Sequence, residues 1–152
     1  MTAASPDRER KAELERLIRE RVEVWARAIS AKDIDRVMSS YATNLISFDL
    51  DPPLRYSGSD AKRRAWEKFF AAFPDAVSYQ LHELSITAGA DTAFVHSLNH
   101  VRGRRASGEL SDLWVRWTAC FHRVDTDWLI VHDHASVPVD LAHGRAVVDL
   151  VP

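Results

Sequence analysis

Two histidines stand two residues apart in WLIVHDHASVPVD, residues 128–140, with Ser136 two further on. On an extended strand successive side chains alternate between faces, so His132, His134 and Ser136 would leave the sheet together. Imidazoles so placed support three kinds of chemistry. They could share a metal ion, which needs a third and fourth ligand, and only Asp49 or a neighbouring-strand residue such as Asn99 is available for that. They could orient a substrate or move protons in partnership with Asp49, because imidazole titrates near neutral pH. They could also be satisfied by Ser, Thr or backbone partners and simply build a wall of the fold.

The hairpin that precedes them determines which face they occupy. If VDTD closes it with Val124 opposite Asp127, Phe121 faces Ile130, Ala119 faces His132 and Trp117 faces His134. That side carries Leu113, Val115, Trp117, Ala119, Phe121 and Ile130, nearly all apolar, which predicts that Trp117, His132 and His134 lie on the concave face. A one-residue bulge would exchange the faces.

The elements that must position these groups follow from periodicity. Ser5 before Pro6 predicts a helix start, and Leu14, Leu17, Ile18, Trp25, Ala28 and Ile29 then recur at helical spacing over about six turns. Asp33 caps a shorter helix marked by Ile34, Val37, Met38 and Tyr41. A strand, LISFD, ends at the two prolines of DPP. In GSDAKRRAW, Ser59 or Asp60 opens a third helix whose Ala65, Trp66, Phe69, Phe70 and Phe73 make an aromatic face, ending before Pro74. From Ala76 the period becomes two: VSYQLHELSIT, TAFVHSLNHVRG, ELSDLWVRWTACFHR and WLIVHDHASVPV read as four antiparallel strands. Helices first and a meander after predict an α+β domain, its sheet curling around the long first helix. It spans residues 1–152 as one unit, with 1–6 and 139–152 as terminal tails.

Composition narrows the function. With 20 Lys+Arg against 22 Asp+Glu, the formal charge of -2 gives no general attraction to nucleic acid or to an anionic membrane. Arg102, Arg104 and Arg105 read as a solvated hairpin turn built on Gly103. No apolar run approaches the roughly 20 residues of a membrane span, and MTAASPDRER has no hydrophobic leader, so a cytoplasmic protein is expected. Cys120 is the only cysteine, which excludes an internal disulfide and reads as a small core residue. His82, His96, His100 and His143 read as surface or interface residues.

In three ordered pieces the chain resembles the nuclear transport factor two-like superfamily, which includes ketosteroid isomerases, SnoaL-like polyketide cyclases and the association domain of calmodulin-dependent protein kinase II. The pieces are AISAKDIDRVMSSYA, then ISFD followed by a Gly-Ser-Asp helix start, then RWTACFHRVDTDWLIVHDHASVP, together covering roughly residues 12 to 138. The resemblance implies a cone: a strongly curved, mostly antiparallel sheet wrapped around three N-terminal helices, enclosing an apolar pocket and dimerising through its outer face. It also implies that Asp49 stands where ketosteroid isomerases hold their base, while Trp25 replaces the oxyanion tyrosine and Thr118 or Ala119 the second acid. A base without oxyanion donors argues against steroid isomerisation. H-x-H-x-S also occurs in the kinase association domain, a scaffold, but that domain's pocket arginines are replaced by Asn99 and Ala119.

A carboxylate entering an aromatic pocket has its pKa raised and serves as a general acid or base, although Asp49 or Asp51 could equally cap the DPP turn. Trp25, Tyr41, Phe48, Trp66, Phe69 and Trp117 converge from helices and sheet. They either fill the core or line a cavity for a flat, mostly apolar ligand. The resulting expectation is a SnoaL-like small-molecule-binding protein doing proton-transfer chemistry (isomerisation, cyclisation or dehydration), with Asp49, His132 and His134 catalytic and Asn99 joining the aromatic residues in binding. The alternative is a non-catalytic dimerisation or ligand-sensing module of the same fold. No metal or cofactor is expected.

Overall fold

The computed structural model describes residues 5–152. The expectations of a short N-terminal tail and of no hydrophobic leader rest partly on residues 1–4, which lie outside the described residues. Helix α1 (Pro6–Ser30) starts after an extended Ser5, with Pro6 in its first turn, where no N–H is needed. Its inner face buries Ile18, Val22, Trp25 and Ile29, while Arg16 pairs with Glu13 and Glu20 outside. Helix α2 (Ile34–Met38) is capped by Asp33, whose carboxylate accepts from the Arg36 N–H at 3.0 Å.

Tyr41 does not continue this helix as its spacing suggested. The Ile130 N–H donates to the Ser40 carbonyl at 2.8 Å, drawing the chain into the sheet, and Tyr41 opens strand β1 (Tyr41–Phe48). A short β2 (Tyr56–Ser57) folds back on β1, and α3 (Ser59–Ala72) follows. Neither Ser59 nor Asp60 caps α3. Gly58 does, at φ +84°, a conformation that costs glycine little.

The meander is β3 (Val77–Ala88), β4 (Thr92–Arg104), β5 (Leu110–Val124) and β6 (Asp127–Ser136). The sheet order is β2-β1-β6-β5-β4-β3, with only β1 and β6 parallel. Register shifts within Tyr41/Ile46, His82/Ser85 and Cys120/Phe121 bend the strands, Glu83 taking φ 53° at the second. The open, curved sheet closes over α1, where Trp25 stacks on Trp117 of β5 with ring centroids 4.5 Å apart. A second apolar cluster, Phe73, Val77, Val101 and Val115, joins α3 to the other end. In the segment expected as a C-terminal tail, β7 (Val139–Asp140) and β8 (Arg145–Ala146) form a small hairpin.

Two further expectations are corrected. Gly103 is not a turn residue. It lies in β4, where a Cβ would come within 2.7 Å of the Phe73 ring, and the turn is tied instead by the Arg105 N–H to the Glu109 carbonyl. The β5/β6 pairing begins as expected, with Val124 opposite Asp127 and Phe121 opposite Ile130, and then slips by one: Cys120 faces His132, Ala119 faces Asp133 and Thr118 faces His134. The extra residue, Val131, exchanges the faces. Asp133 therefore points inward with Trp117 and Ala119, while His132 and His134 point outward.

Candidate functional site

Strand β1 runs alongside β6 with Ser47 beside Asp133. Alternation then sets Ser47, Asp49 and Asp133 on the concave face, and Phe48, His132 and His134 on the convex one. Lys62, in the first turns of α3, reaches down to them. It is 3% exposed, and its ammonium donates to the Ser47 Oγ at 2.9 Å and the Asp49 Oδ2 at 2.8 Å, with the Asp133 Oδ2 at 3.3 Å. Three acceptors match the three N–H bonds of an ammonium. Taking one charge out of water costs several kcal/mol, and two carboxylates offset it here.

The titration behaviour follows. Burial pushes the Lys62 ammonium down, but the charges of Asp133 and Asp49 outweigh it and hold the pKa above the usual lysine range. Burial likewise pushes Asp49 up, and the charge and hydrogen bond of Lys62 outweigh it, leaving Asp49 below the usual carboxylate range. The expectation of a raised Asp49 is thus reversed: its environment is apolar, but a cation sits within hydrogen-bond distance.

Two tyrosines frame this cluster. Tyr41 accepts from the Trp66 Nε1–H at 3.2 Å and donates to the Asp133 Oδ2 at 3.1 Å. Ser97 donates to the Asn99 Oδ1 at 2.6 Å, which turns the Asn99 amide to donate to the Tyr79 hydroxyl oxygen at 2.8 Å. Tyr79 therefore keeps its own O–H to donate elsewhere. Burial raises the pKa of both phenols, so they are neutral donors across the physiological range.

All this borders a cavity of about 280 Å³ between α3 and the sheet. That is near the lower end of small-molecule pockets, roughly 300–1,000 Å³. Of the residues singled out in the sequence, Trp25, Asp49, Trp66, Phe69 and Trp117 line it, and so do Lys62, Tyr79, Asp133 and Arg105. Three buried polar atoms on lining residues have no partner: Trp25 Nε1, Trp117 Nε1 and Asp133 Oδ1. Buried polar groups are ordinarily satisfied, and these three have no partner among the described residues.

The remaining expected residues lie elsewhere. Asn99 is fully buried behind Tyr79, and Tyr41 behind Asp133. Phe48 is on the convex face, with its ring edge-on to His132 and His134 at centroid distances of 4.9 and 5.6 Å. The Nδ1–H of His132 donates to the Ile46 carbonyl at 2.8 Å. Among the described residues no three His, Cys, Asp or Glu side chains converge as a metal site.

Lys62 was legible and overlooked: it precedes Trp66 and Phe69 by four and seven, so it belongs to the aromatic face of α3. Asp133 was hidden by the assumed register.

Comparison with known proteins agrees with this architecture. The profile of the SnoaL-like domain family matches residues 18–140. An NTF2-like protein of unknown function from Pseudomonas putida KT2440 is 28% identical, with a TM-score of 0.84 over 93% of this chain and 98% of its own. A putative scytalone dehydratase from Novosphingobium aromaticivorans has a TM-score of 0.72 at 15% identity, covering 80% of this chain and 81% of its own. A ketosteroid isomerase-like protein from Erwinia carotovora atroseptica has 0.69 at 18%, covering 80% and 94%. These last two likenesses are of fold. No curated protein sequence matches significantly. With its profile match extending from α1 through the last strand of the curved sheet, the chain belongs to the SnoaL-like domain family.

Proposed function

We propose that the protein binds a flat, mostly apolar small molecule in the cavity and catalyses a proton transfer on it, as an isomerase, cyclase or dehydratase. The observation that carries this reading is the buried Lys62 held between Asp49 and Asp133 on the wall of an aromatic cavity. Asp49, a quarter exposed, is the base. Its carboxylate takes a proton from a carbon beside the substrate carbonyl, and the C–H electron pair moves onto the carbonyl oxygen as an enolate. Lys62, exchanging its Ser47 contact, and the free O–H of Tyr79 donate to that oxygen. Returning the proton from Asp49 to another carbon of an unsaturated substrate isomerises it, and giving that proton to a β-hydroxyl, which leaves as water while the enolate collapses to a carbon–carbon double bond, dehydrates it.

Holding Asp49 below the usual range keeps it ionised but lowers its basicity, which matches it to C–H bonds acidified by both a ring and a carbonyl. Deuterium incorporation at C1 of 2-tetralone in D2O at neutral pD, followed by proton NMR, tests this. The expected result is acceleration of roughly 100-fold or more over buffer, lost in Asp49→Asn. Exchange no faster than buffer, or unchanged in that variant, would overturn it. Here His132 and His134, expected as catalytic residues, have no part in the chemistry.

The convex face supports a homodimer. Trp114 stacks on His100 with centroids 4.3 Å apart, and Phe94, on the same face six residues from His100 along β4, is about half exposed. Sedimentation of wild type and Trp114→Glu tests it, a dimer becoming monomeric in the variant and an unaltered mass refuting it. No described helix is long and apolar enough to cross a membrane, which is compatible with a cytoplasmic site of action.

A further inference from the structure

The charges around the cavity are distributed unevenly. At the deep end Asp49 and Asp133 share Lys62, so two carboxylates face one ammonium. At the mouth Asp51 and Lys68 pair at 2.9 Å and cancel. The remaining charged lining residue, Arg105, has no carboxylate within ion-pair distance among the described residues, and its guanidinium lies over the Phe73 ring at 5.6 Å. The turn that carries it is fixed by the Ala106 N–H donating to the Ala72 carbonyl at 3.1 Å, at the end of α3.

Arg105 and the deep cluster are at opposite ends of an apolar slot. Ser111, on the Arg105 side, and Trp117, on the deep side, both line it and are six residues apart on β5, about 20 Å at ~3.3 Å per residue. Leu113, Val115 and Val101 form the floor between them.

We infer that the ligand is an elongated organic acid: a carboxylate pairs with Arg105, a flat apolar body fills the slot, and a hydroxyl or carbonyl enters the deep end. This deepens the proposed function and rests on its reading of the cavity as a ligand site. The polarity sets the orientation. A carboxylate at the deep end would add a third anion beside one cation, whereas at Arg105 it meets an unpaired guanidinium able to bind it through two parallel N–H bonds. At the deep end a carbonyl oxygen accepts from Lys62, exchanging its Ser47 contact, and from the free O–H of Tyr79, or a hydroxyl donates to the partly exposed Asp49 carboxylate.

The test compares 4′-hydroxybiphenyl-4-carboxylate with its methyl ester, read by quenching of the tryptophans that line the slot. Wild type is expected to bind the acid roughly tenfold or more tightly than the ester. Arg105→Met should bring the two within about twofold by weakening the acid alone, and Arg105→Lys should keep most of the preference. Equal binding of acid and ester by wild type, or a preference that survives Arg105→Met, overturns the inference and leaves the cavity reading standing. If neither probe binds wild type, both fall.

Discussion

Replacing Lys62 with methionine removes a charge from a place where water cannot replace it. Asp133, 2% exposed, would keep only the Tyr41 hydroxyl as a donor, and Asp49 only the Leu50 N–H. Breaking a buried ion pair on one side costs about 3–5 kcal/mol, because the surviving charge stays buried and unpaired. Against a total stability of roughly 5–15 kcal/mol this is a large fraction, and for a chain of this length it lowers Tm by roughly 10–15 °C. The loss should depend on pH in a defined direction. In the wild type Asp49 is held below its usual range, so its contribution to stability is present above the ordinary carboxylate pKa and fades as pH falls through the folded value. Lys62, held above its usual range, contributes fully below the ordinary lysine pKa, and that contribution is lost as pH rises through the folded value. In Lys62→Met, Asp49 keeps its burial but loses the charge and hydrogen bond of Lys62 that lower its pKa, so its pKa rises and the variant gains on the wild type as acid neutralises it. Thermal melts of the two proteins between pH 3 and 9 should show a gap that is widest near neutrality and narrows below about pH 4. Adding Asp133→Asn to Lys62→Met should recover part of the lost Tm at neutral pH. A single variant melting within about 2 °C of wild type, with the same pH slope, would refute the idea that Lys62 clamps two buried carboxylates.

Other consequences are simpler to measure. His134→Ala, at an exposed convex position, should change stability by no more than about 0.5 kcal/mol and leave 2-tetralone exchange intact, and loss of exchange would return the histidine to the pocket. His132→Ala forfeits one hydrogen bond to the Ile46 carbonyl and should cost about 1 kcal/mol in denaturant titration, again without effect on exchange. Gly103→Ala should destabilise by about 1–3 kcal/mol through overpacking on Phe73, and Phe73→Leu in the same chain should return part of that. If Gly103→Ala is neutral, the close approach of β4 to the end of α3 is wrong.

The way the fold could and could not be read from the chain has a physical basis. Long elements with a sustained period, such as α1 and β3 to β6, announce themselves because burial imposes the period along their whole length. Local exceptions do not. The bulge at Val131 consists of one residue in a strand whose composition is unchanged by it, yet it turns HDH over and replaces two imidazoles in the cavity by one carboxylate. Gly103 reads as a turn signal, and its actual reason, room for an aromatic ring from α3, is a long-range contact that no local pattern records. Lys62 is different, since its position on an aromatic helix face was visible. A charged residue on such a face is ordinarily assigned to solvent, and only the convergence of β1 and β6 beneath it supplies the two carboxylates that make its burial tolerable.

The tryptophan indoles offer the most direct measurement of the central claim, that the aromatic cavity is where the ligand sits. Trp25, Trp66 and Trp117 line that cavity, whereas Trp114 is on the convex face and Trp128 is buried in β6 away from it. Titrating 2-tetralone into nitrogen-15-labelled protein, with indole N–H signals assigned by substitution, should move the Trp25 and Trp117 signals most and leave those of Trp114 and Trp128 in place. Movement of the Trp114 signal with Trp25 and Trp117 unchanged would contradict the account.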